Sequence, residues 1–88
     1  EMKDINKMID NCISQLSDDR VDSGVELLQE LAVMWKTAGL TQKSFIEICT
    51  YIEREAADKS DEAFVKMKIG AALKSARENK HGRIVRVH

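Results

Sequence analysis

Apolar residues recur at steps of three and four along most of this chain, and no proline interrupts them. A period near 3.6 puts side chains on one face of an α-helix, whereas a half-buried strand needs strict alternation. Without proline, no helix interior loses a backbone donor or meets the ring clash that breaks helices. β-branched residues are scattered rather than gathered into runs. The chain is therefore expected to be all-α, a compact and antiparallel bundle-like domain of four helices, followed by a short basic tail.

The stripe Ile5, Met8, Ile9, Cys12, Ile13 and Leu16 predicts a helix over residues 4–16, ended by Ser17, Asp18 and Asp19. A second stripe, Val21, Val25, Leu28, Leu31, Ala32 and Trp35, predicts a helix over 20–38. Its start has two readings. Ser23 and Glu26 have capping-box spacing, yet Val21 already fits the periodicity and would leave Gly24 inside the helix. Gly39 stands where glycine commonly ends helices. Thr41 is a favourable N-cap for a third helix over 42–57, with Leu40 placed to staple onto Phe45 and a stripe of Phe45, Ile48, Cys49, Ile52 and Ala56. Ser60 is expected to cap a fourth helix over 61–80, with Asp61 and Glu62 favouring its positive end and Gly82 stopping it.

The five residues Ala38-Gly-Leu-Thr-Gln42 resemble the segment that opens the second helix of phage-repressor-type helix-turn-helix domains. Those domains want a small residue soon afterwards and then a glycine turn. Ile46 and Thr50-Tyr51 stand at those places, and the helical stripe runs on to Ala56. A glycine C-cap followed by a threonine N-cap accounts for the same five residues.

With 88 residues, 43% of them apolar, the chain has enough for one small core and not for two. One helical domain is expected over 1–82 and a basic tail over 83–88, with no repeat or linker between. Small cores are marginal alone, so a homodimer is favoured. The longest apolar run, Leu31 to Trp35, is far below the roughly 20 residues that span a bilayer, and no membrane partner is expected. Glu1 and Asp4 leave no secretory h-region, and Met2 is the expected natural start. Cys12 and Cys49 both fall on apolar stripes, as reduced thiols of a cytoplasmic protein do. Together with His81 and His88 they lack the paired spacing of a zinc site, so no metal or other cofactor is expected.

Charge is laid out unevenly. Residues 1–61 carry seven Lys/Arg against thirteen Asp/Glu, a net of −6, while residues 62–88 carry seven against two, a net of +5. Within the second part, Lys66, Gly70, Lys74, Arg77 and His81 are spaced to share one helix face. Lys80 flanks that face, and Arg83 and Arg86 carry the charge past Gly82. Gly70 opens a gap where another backbone or a phosphate strand can approach. The same helix has two apolar strips: Phe64, Met67 and Ala71 form one, and Val65, Ile69, Ala72, Leu73 and Ala76 the other. Such a helix is either central in the domain or packs on something outside it, and the sequence favours the central position.

There is no Gly-rich phosphate loop, no nucleophile elbow and no His-Glu-x-x-His pattern, and the two histidines lie near the chain end. Glu53 and Glu55 point apart on a helix and read as solvated. Catalysis is not expected. The function expected is binding of a macromolecular partner, a protein above all, by a small regulator, adaptor or stoichiometric inhibitor. Lys66, Gly70, Lys74, Arg77, Lys80, His81, Arg83 and Arg86 are the candidate partner-binding residues. Nucleic-acid binding by the same basic stripe and tail is the second expectation, and the reading without a partner is a solvated Lys/Arg face offset by the acidic first three helices.

Overall fold

The computed structural model describes residues 2–78. Four helices follow one another: α1 (Met2–Ser17), α2 (Val21–Thr37), α3 (Gln42–Lys59) and α4 (Ala63–Arg77). No strand occurs among the described residues. The all-α, four-helix expectation holds. α4 ends at Arg77 with Glu78 as its C-cap, short of the expected residue 80, while Gly82 as its stop and the tail 83–88 lie outside the described residues.

Two helix ends are closed by the same device. At the end of α2, the Leu40 N–H donates to Trp35 O at 3.1 Å and the Gly39 N–H to Lys36 O at 3.0 Å. This is a Schellman motif, and it needs the left-handed conformation that Gly39 supplies at φ 78°. At the end of α1, the Arg20 N–H donates to Gln15 O at 2.8 Å and the Asp19 N–H to Leu16 O at 3.1 Å. There the left-handed residue is Asp19, at φ 63°. Aspartate tolerates that region better than most residues, so Asp18 and Asp19 can turn the chain without a glycine.

The start of α2 is at Val21, and Gly24 lies inside the helix. The Ser23–Glu26 spacing does not form the cap. Gly24 is buried because α1 passes there: a Cβ on it would stand 2.6 Å from Leu16 Cδ2. Thr41 caps α3 as expected, with its hydroxyl accepting from the Ser44 N–H at 3.1 Å. Ser44 Oγ in turn accepts from Trp35 Nε1 at 2.9 Å, tying the end of α2 to the start of α3. Ser60 departs from expectation. It is the C-cap of α3, and its hydroxyl accepts from the Glu62 N–H at 3.4 Å, while Glu62 is the residue before α4. The backbone stays extended through Ser60 and Glu62, so the helix starts two residues later than the serine suggested.

Each helix turns its stripe inward. Ile5, Leu16, Leu28, Leu31, Ile52, Ile69 and Leu73 are the largest fully buried side chains. Trp35 and Phe45 pack in a tilted arrangement with ring centroids 6.2 Å apart. The closest partnerships are α1 with α2 and α3 with α4, and α1 lying on α3 joins the two pairs. The radius of gyration, 11.9 Å, is what a compact chain of this size has, about 12 Å.

Candidate functional site

The inner strip of α4 is the one that builds the core. Val65, Ile69, Leu73 and Ala76 are buried, and Ala72 is partly so. The other strip faces solvent: Phe64 is 53% and Met67 72% exposed, with Ala71 exposed beside them. The expected central position of α4 is therefore corrected. The helix is peripheral, leaning mainly on α3, because its charged residues occupy both flanks and only one strip can be enclosed.

The basic stripe divides into two functional halves. Lys66 and Lys74 are exposed and have no ion pair among the described residues. Arg77 instead reaches inward and donates to Glu53 Oε1 of α3, with the two side chains 26% and 33% exposed. Gly70 faces the same carboxylate: a Cβ there would stand 3.6 Å from Glu53 Oε2. The gap at Gly70 is thus filled from within the molecule, and Glu53 is a bridging group rather than a solvated one. Lys80, His81, Arg83 and Arg86 lie outside the described residues.

One cation of the region escaped the spacing argument. Lys68 Nζ is 2.9 Å from Asp19 Oδ1 in the α1–α2 turn and 4.2 Å from the centroid of the Phe64 ring. The i,i+4 relation of Phe64 and Lys68 was a local signal for the cation–π contact. Nothing local signalled Asp19, which is 49 residues away. Phe64 lies on the outer surface with Lys68 over its ring.

Cys12 and Cys49 are free and fully buried. Burial pushes the Cys12 thiol up to about 12, with Cys49 and then Glu30 adding to the rise. Burial likewise pushes Cys49 up to about 12, against the opposing influence of Arg77. Both are therefore protonated at neutral pH and behave as small core hydrophobes. Among the described residues there is no group of three or more His, Cys, Asp or Glu placed to hold a metal ion.

The described part of the basic region thus presents an outward face made of Phe64, Met67 and Ala71, with Lys66 and Lys74 along one flank and Lys68 along the other. It has greasy area to bury and unpaired amines to orient what buries it. Comparison with protein families, curated proteins and solved structures finds no match.

Proposed function

We propose that the protein is a small, non-enzymatic, cytoplasmic binding module whose outer α4 surface engages a protein partner, as a regulator, adaptor or stoichiometric inhibitor does. The observation that carries this is the exposure of Phe64 and Met67 beside Lys66 and Lys74, which have no ion pair among the described residues. An apolar centre rimmed by charge is the usual anatomy of a protein-binding patch, and methionine adapts readily to a partner's shape. The buried free thiols fit a reducing compartment. Among the described residues, no helix is long and apolar enough to cross a membrane.

Nucleic-acid binding is the second reading, and it rests on the +5 charge of residues 62–88. Two of those cations, Lys68 and Arg77, are already engaged by carboxylates of the same chain. Lys68 also covers the ring of Phe64, the aromatic closest to the stripe, which is then less open to stacking on a base. Both points favour the protein partner.

The test pairs capture from host cells with a duplex-binding assay, using wild type and the variant Met67→Gln/Lys74→Gln. A protein that co-purifies with wild type, resists moderate salt and is lost with the variant supports the reading. Binding of duplex DNA or RNA that weakens steeply with salt, with no protein captured, replaces it with the second.

A further inference from the structure

The outer surface of α2 is the electrostatic counterpart of the outer surface of α4. Asp22, Glu26 and Glu30 follow one another at steps of four and are all exposed, and Val33, one turn further, is 63% exposed. None of the three acids has an ion-pair partner among the described residues. Like charges at i,i+4 repel along a helix, so this row costs the isolated chain stability. Lys66 and Lys74 on α4 are separated by eight residues, as Asp22 and Glu30 are on α2, which is about 12 Å on either helix. Gly70, midway between the lysines, adds no side chain of its own to the row, and the Glu53 carboxylate beside it is already engaged by Arg77. Both rows carry exposed apolar side chains next to their charges: Val33 on α2, Phe64 and Met67 on α4.

The two helices also touch each other within the fold. A two-fold axis running along their seam sets α2 of one copy on α4 of the other, and the reverse contact forms at the same time. Such an arrangement closes on itself and pairs acid with base twice. By contrast, α4 on α4 or α2 on α2 would set like charges together.

Resting on the reading of α4 as a binding surface, we propose that one occupant of that surface is a second copy of this chain, which docks its acidic α2 face there in a reciprocal dimer. Asp22, Glu26 and Glu30 of each copy meet Lys66 and Lys74 of the other, and Val33 is buried with Met67 and Phe64.

Sedimentation equilibrium at low salt, over a range of micromolar concentrations, tests this with charge reversals at exposed positions. Circular dichroism verifies that each variant keeps its helices. Wild type should sediment as a dimer. Glu26→Lys/Glu30→Lys alone and Lys66→Glu/Lys74→Glu alone should each be monomeric. An equimolar mixture of the two should recover the dimer mass, since each then presents the charge the other needs. A monomeric wild type, or a dimer indifferent to the α2 reversal, overturns the proposal. A monomeric wild type whose α4 surface still captures a host protein removes the second copy as occupant and leaves the function proposed above standing. A dimer that captures no host protein does the opposite.

Discussion

Gly24 and Gly70 are both helical glycines, and they should respond to alanine with opposite signs. At Gly24 a new Cβ would stand 2.6 Å from Leu16 Cδ2 and 2.7 Å from its Cγ. Leu16 is fully buried and has nowhere to swing, so Gly24→Ala should destabilise by about 1–3 kcal/mol through overpacking. At Gly70 the nearest atom is Glu53 Oε2 at an ordinary contact distance of 3.6 Å. Gly70→Ala should therefore stabilise by about 0.5–1 kcal/mol, the entropy that glycine forfeits in a helix. Urea unfolding of the two variants measures both; a loss at Gly70 would mean that the helix face beside Glu53 is tighter than described. The sequence marked Gly39 and Thr41 for what they are, because a C-cap glycine and an N-cap threonine act on their own neighbours. It did not settle Gly24, whose reason is a side chain on another helix. Ser60 misled for a related reason. A serine before a helix looks like a cap, and only the extended backbone at Glu62 shows that the helix has not yet begun.

At the scale of elements, all four helices lie close to where their periodicity puts them, since each stripe is a local pattern that the core then encloses. The orientation of α4 was not legible in the same way. Two apolar strips and a charged face compete on that helix, and the winner depends on groups elsewhere: Glu53 on α3 takes Arg77, and Asp19 in the α1–α2 turn takes Lys68. Those ion pairs accompany the burial of Val65, Ile69 and Leu73, which leaves Phe64 and Met67 outside. They also separate charges that look equivalent in the sequence. Arg77→Gln should destabilise by about 1 kcal/mol, a charged hydrogen bond discounted for its partial exposure. Lys74→Gln, with no ion pair to lose among the described residues, should stay within about 0.5 kcal/mol of wild type. Thermal or urea unfolding of the pair separates the two roles, and equal effects would contradict the division of the stripe.

For the molecule as a whole, the charge asymmetry of the sequence has two uses. Part of it is spent in cis, where Lys68 and Arg77 fasten the basic fourth helix to the acidic first three. Among the described residues, Lys66 and Lys74 on one side and Asp22, Glu26 and Glu30 on the other stay on the surface without an ion pair. That surplus, set beside exposed Met67 and Phe64, is why a protein surface rather than a phosphate backbone is the proposed occupant of α4. Met67 itself reports on that claim, because it is 72% exposed while Met34 is partly buried against the core. Hydroxyl-radical footprinting read by mass spectrometry compares the oxidation of Met67, normalised to Met34, in the free protein diluted until it sediments as a monomer and in the complex captured from host cells. The account predicts that Met67 is oxidised several-fold more slowly in the complex. Equal rates in the two states would place the partner elsewhere and contradict the assignment of the outer α4 surface.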